Sequence, residues 1–161
     1  MTNMHSYTLS LRIESPTLDT SRVTKELGIT PTQTRAVGQY RGPSSLWTEA
    51  LWEFDVGPVR PGLAAERKPG WPGWDSLEKA FEKLLGIFSP HAGLIQSYRQ
   101  HHEVYFWVGH FSSSFDGGPR LSPEILKALG DFGVPVWVDT HFVDFGDDEG
   151  NTPGRLPIPG G

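Results

Sequence analysis

Tyr7, Leu9, Leu11 and Ile13 alternate with Thr8, Ser10 and Arg12, the period-two pattern of a strand with one apolar and one polar face. Residues 105–111 are denser. Phe106 and Val108 fall on one side and Tyr105, Trp107 and Phe111 on the other, so this segment reads as a central strand buried on both faces. Each strand leads into a helix. Asp19 and Ser122 take the N-cap positions, where a short oxygen-bearing side chain accepts an orphan backbone N–H. Pro123 suits the first helical position, and Glu124 complements the helix dipole. Ile125, Leu126, Leu129 and Phe132 then recur at helical spacing, as Val23 and Leu27 do more sparsely. With a glycine near each helix end and an extended run beyond it, residues 103–139 repeat the plan of residues 5–29.

Between the copies, residues 46–56 alternate as a strand, with Leu46, Ala50, Trp52 and Phe54 on one side and Trp47, Glu49, Leu51 and Glu53 on the other. Residues 57–73 carry Pro58, Pro61, Pro69 and Pro72 and predict a surface loop, since proline sustains neither a helix interior nor a central strand. Asp75 and Glu78 resemble a capping box ahead of the stripe Leu77, Phe81, Leu84, Leu85 and Phe88, which Pro90 stops. A shorter helical turn falls at residues 92–100, and residues 134–143 form the last strand.

These elements predict an α+β fold: two strand-helix-strand units packed as a four-stranded, mostly antiparallel sheet with helices on one face, ferredoxin-like, enlarged by an extra central helix. Residues 1–143 make a single domain, and residues 144–161 a flexible acidic tail rich in glycine and proline, with too little apolar surface to order itself. A chain of 161 residues that is 37% hydrophobic suits one core. No window approaches the roughly 18 apolar residues of a membrane span, and the N-terminus lacks the order of a signal peptide. The default is cytoplasmic. Zero cysteines exclude disulfide and thiol chemistry. Net charge is -5, with 8 basic and 7 acidic side chains in residues 1–70 against 6 and 12 in residues 71–161. An acidic half argues against a nucleic-acid partner, whose phosphates need clustered Lys and Arg.

Leu27-Gly28-Ile29-Thr30-Pro31-Thr32, the amphipathic helix after a Trp-containing middle strand, the stretch Leu121-Ser122-Pro123-Glu124-Ile125-Leu126, and Asp139 in the last strand come in an order that resembles the bacterial family catalogued as domain of unknown function 4279. The likeness spans about residues 7–142. The family often carries an aromatic two residues after the final Asp, where this chain has His141. The resemblance implies a shared fold and no established activity.

Three groups of side chains carry candidate chemistry. His110, Asp139 and His141 have ligand types that suit a metal, Asp139 and His141 sharing one face of a strand at i, i+2. With Ser112, Ser113, Ser114 and Asp116 they also raise a hydrolytic constellation, although the serine run has the composition of a turn and lacks a nucleophile elbow. Arg35, Tyr40, Arg41 and Trp47, near Thr30, Thr32 and Thr34, suit a carboxylate, a phosphate or a stacked ring if they converge, and are otherwise solvated loop residues. Of six tryptophans, Trp71 and Trp74 lie in the proline-glycine loop and are candidates for partner binding, with burial of Trp74 against the following helix as the competing reading. An anion at the helix start near Ser122 is disfavoured by Pro123 and Glu124.

No motif demands a reaction or a cofactor, and no residue is assigned as catalytic. The reading is a non-catalytic cytosolic protein that binds another protein, for example an inhibitor such as an immunity protein against a bacterial toxin, with its acidic half steering it to a basic partner. The alternative is a small-molecule or metal-binding domain with weak hydrolase activity. An exposed sheet edge or an uncovered aromatic sheet face makes a homodimer a further expectation.

Overall fold

The computed structural model describes residues 5–57 and 73–142. Its strands are β1 (His5–Ser15), β2 (Gln33–Arg35), β3 (Tyr40–Gly42), β4 (Ser45–Leu46), β5 (Ala50–Asp55), β6 (Glu103–Ser112) and β7 (Val136–Phe142). The helices are α1 (Thr20–Leu27), α2 (Leu77–Phe88), α3 (Ala92–Tyr98) and α4 (Pro123–Phe132), with a 3-10 turn, Ser89–His91, between α2 and α3.

The α+β class holds, and the sheet is mainly antiparallel, but it has five strands rather than four, in the order β2-β5-β1-β6-β7, while β3 and β4 form a separate two-stranded hairpin. β1 is flanked antiparallel by β5 and β6, and β7 runs parallel beside β6. That adjacency departs from the expected ferredoxin-like assembly of two equivalent units, in which the two strands of a unit are separated by a strand of the other. The first unit is indeed split, since β5 lies between β1 and β2. β2 escaped the sequence reading because three polar residues, Gln33, Thr34 and Arg35, show no apolar alternation.

Alternation along the strands divides the sheet into two faces. Leu9, Leu11, Ile13, Trp52, Val104, Phe106 and Val108 join residues from all four helices in one hydrophobic cluster, so every helix lies on the same side. Trp52, Phe81, Phe88 and Phe106 are fully buried there, and each such side chain contributes about 1.5–3 kcal/mol. The Trp52 indole Nε1 donates to Thr24 Oγ1 of α1 at 3.0 Å. The Tyr98 hydroxyl of α3 donates to Glu26 of α1; burial, then that carboxylate, pushes the phenol up to about 12.

The helix ends follow the sequence closely. Asp19 accepts from the Arg22 N–H and Ser122 from the Ile125 N–H, and both helices stop at a left-handed glycine, Gly28 (φ 66°) and Gly133 (φ 74°). The capping box at α2 needs correction. Ser76, not Asp75, accepts from the Lys79 N–H, and Glu78 instead accepts from the Ser122 N–H of α4 at 3.0 Å, pinning one helix start to another. Leu126 and Leu46, both expected on apolar faces, are 54% exposed; Leu46 belongs to the small hairpin rather than to β5. The tail from residue 144, most of the 57–73 loop and Trp71 lie outside the described residues.

Candidate functional site

The other face of the sheet carries no helix among the described residues. Register places Arg35 of β2, Leu51, Glu53 and Asp55 of β5, Ser10, Arg12 and Glu14 of β1, Tyr105, Trp107 and Phe111 of β6, and Trp137, Asp139 and His141 of β7 on it. These side chains cover one another. Arg12 Nε donates to Glu53 Oε1 at 3.0 Å, and its guanidinium lies 4.1 Å from the centre of the Trp107 ring. The Tyr105 hydroxyl donates to Glu14 Oε1 at 2.7 Å, while the Arg35 guanidinium donates to Glu14 Oε2 at 3.3 Å. Burial, then Glu14, drives the Tyr105 phenol far above its ordinary range, so it stays a neutral donor. Leu51, Glu53 and Tyr105 are consequently buried on a face where the described residues place no helix.

Three of the four residues expected to bind a ligand do come together. The Trp47 ring meets two guanidiniums, Arg35 at 3.6 Å from its centre and Arg41 at 4.7 Å, in cation-π geometry. Tyr40 is apart, 83% exposed on the β3-β4 hairpin. Arg35 is no solvated loop residue, since it sits in the sheet and pairs with Glu14. Thr32 extends the pairing of β2 with β5: its N–H and hydroxyl donate to the Glu53 carbonyl, and the hydroxyl accepts from the Asp55 N–H.

Beneath Trp107 the sheet is unusually bare. A Cβ on Gly109 would lie 2.5 Å from Thr8 Oγ1, 3.1 Å from the Trp107 ring and 3.2 Å from the Phe111 ring, so only glycine lets both rings fold down here. The Thr8 and Ser10 hydroxyls, on the same face, are shielded from water and find no hydrogen-bonding partner among the described residues.

His110, Asp139 and His141 do not converge. His110 shares the helix-side parity of Phe106 and Val108, whereas Asp139 and His141 lie on the opposite face, paired at 3.1 Å, with the His141 ring stacked on Phe111. Among the described residues no group of three or more His, Asp or Glu side chains is placed to hold a metal ion. His110 is buried, its Nε2 3.0 Å from His5 Nδ1 and its Nδ1 3.3 Å from Thr140 Oγ1, with Tyr7 stacked on its ring. Burial, then the neighbouring His5, holds its pKa below the usual imidazole range. The Ser112 and Ser114 hydroxyls are engaged with backbone of their own loop, and the Ser122 N–H is taken by Glu78. Trp74 packs against the core, and its backbone pairs both ways with Tyr7 at 2.9 and 2.8 Å. Its Nε1 is buried without a hydrogen-bonding partner among the described residues.

Arg12, Glu14, Glu53, Tyr105 and Trp107 form the centre of this face, and sequence reasoning did not single them out. Alternation put Arg12 on the polar side of its strand; what was missing was the register that sets Arg12 opposite Tyr105 and Glu53.

Fold and face together define a mixed α+β domain with helices on one side and an arginine-tryptophan surface on the other. The chain belongs to the family described as domain of unknown function (DUF4279), which matches residues 5–143. No curated protein and no solved structure matches it.

Proposed function

We propose that the protein is a non-catalytic binding protein whose helix-free sheet face receives another protein. The observation that carries this reading is Trp47 in contact with both Arg35 and Arg41, continued across the face by Arg12 on Trp107. Trp, Tyr and Arg dominate binding hot spots because they bury large, pre-ordered surfaces. Here the guanidiniums and rings already fix one another, so little side-chain entropy remains to be lost on association. Within this class, an inhibitor of a basic protein, such as a toxin-neutralising immunity protein, is the case favoured by the acidic balance of residues 71–161. The strand order supports reading β2-β5-β1-β6, with α1 to α3, as a ferredoxin-like core to which α4 and β7 are appended.

The test begins with capture of a partner from extracts of the protein's own cells and continues with both proteins purified, by calorimetry. Trp47→Ala and Arg41→Ala should each weaken binding by about tenfold or more, while Lys127→Ala, on the exposed side of α4, leaves it unchanged. Equal affinity for all three variants refutes the assignment of this face.

A further inference from the structure

The two edges of the sheet are unlike. β2 is three polar residues long, a short and charged edge of the kind that resists pairing with other chains. β7 is seven residues long, contains no lysine, proline or bulge, and exposes Val136, Trp137, Val138 and Phe142 at 37, 57, 45 and 57%. Asp139 is the one acidic or basic side chain, histidine aside, that could guard it.

We propose that β7 pairs antiparallel with β7 of a second copy of this chain, in the register centred on Thr140. The backbone narrows the choice first. The Phe106 N–H donates to the Pro135 carbonyl at 2.8 Å. With Phe106 opposite Val136, this turns the peptide groups of Trp137, Asp139 and His141 toward β6 and leaves those of Val136, Val138, Thr140 and Phe142 at the open edge. A second copy must therefore oppose even-numbered residues to even-numbered residues, with the two-fold axis at Val138, Asp139, Thr140 or His141. An axis at Asp139 sets like charges against each other. An axis at Val138 puts Asp139 opposite Trp137, and one at His141 leaves Asp139 with no opposite residue in the strand. Only the axis at Thr140 places each Asp139 opposite the second copy's His141. It does so twice, and it also sets exposed Val138 against exposed Phe142 on the helix side. Asp139 and His141 then form a non-hydrogen-bonded pair, the closer of the two cross-strand spacings, with Cα atoms about 4.5 Å apart. The strand is complementary to itself, which is what an isologous two-fold contact requires.

The chain has no cysteine, so single cysteines report the register directly. In sedimentation velocity the full chain should run as a dimer that dissociates on dilution. Thr140→Cys, which faces itself across the axis at about 5.5 Å between Cα atoms, should oxidise to a covalent dimer. Val138→Cys, four residues from its own copy, should not. Asp139→Lys should raise the dissociation constant by about tenfold, and the exchanged variant Asp139→His/His141→Asp should return it to near the original value. A monomer at all concentrations, a dimer in which Thr140→Cys fails to cross-link, equal cross-linking of Val138→Cys, or no recovery in the exchanged variant overturns the proposal.

Discussion

Replacing Ser10 with alanine is expected to stabilise the protein, the reverse of the usual result for a fully buried position. Ser10 is 1% exposed, and its hydroxyl has no partner among the described residues. Burying such a group costs about 1–3 kcal/mol in proteins. Removing the oxygen recovers that cost and leaves a void on the order of 15–20 Å³, worth about 0.4 kcal/mol against the variant. The net gain is about 1 kcal/mol. Thr8→Val exchanges a hydroxyl for a methyl of similar size, leaves no void, and should gain about 1–2 kcal/mol. In a chain of this length 1 kcal/mol moves Tm by about 2–4 °C. Urea unfolding of the wild type, both single variants and the double variant gives the differences directly, provided the m-values agree. The two hydroxyls are same-face neighbours in β1, so the double variant also measures their coupling. A loss of about 1 kcal/mol or more for Ser10→Ala would mean that the hydroxyl is satisfied in solution, and the reasoning fails. If both gains appear together with weaker partner binding, the unpaired hydroxyls serve the proposed interface at the expense of stability.

His110 and His102 both have pKa values lowered first by burial, so the folded state binds fewer protons than the unfolded state. Stability should be full above about pH 6.5 and fall as the pH drops toward the depressed folded-state values; urea midpoints at pH 7.5 and 5.5 should converge in a His110→Asn/His102→Asn variant. Gly28→Ala should cost about 1 kcal/mol from the left-handed backbone alone, because nothing lies within 4 Å of the added Cβ. Gly133→Ala should cost more, since its Cβ also meets Gln96 Nε2 at 3.0 Å; equal urea midpoints for the two variants would refute this difference. Thr24→Val strands the buried Trp52 N–H and should lose about 1–3 kcal/mol in the same measurement.

What the sequence made legible was local. Asp19, Ser122, Gly28 and Gly133 bracket their helices as read, and the α2 stripe is buried, because caps and periodicity act within a few residues. What it hid was register. Whether His110 meets His141 depends on which strand lies beside β6 and in what phase, and the pairing that sets His110 against Thr140 puts the two histidines on opposite faces. The arginine-tryptophan face is half legible in the sequence: Arg35, Arg41 and Trp47 lie close along the chain, whereas Arg12, Glu53 and Trp107 come from three strands that only the folded sheet brings together.

The position of β1 sets the order in which this protein can be made. His5 faces Ser112 and Glu14 faces Glu103 across the middle of the sheet, so β1 leaves the ribosome long before the strand that pairs with it. Pairing with β5 becomes available once Asp55 has emerged, but the backbone edge of β1 that meets β6 has no partner until Glu103 and the residues after it have been added. For that interval the nascent chain exposes an open strand edge, the state in which chains aggregate. Folding is therefore completed late and at long range, and a chain that ends before Glu103 leaves the centre of the sheet without its second neighbour.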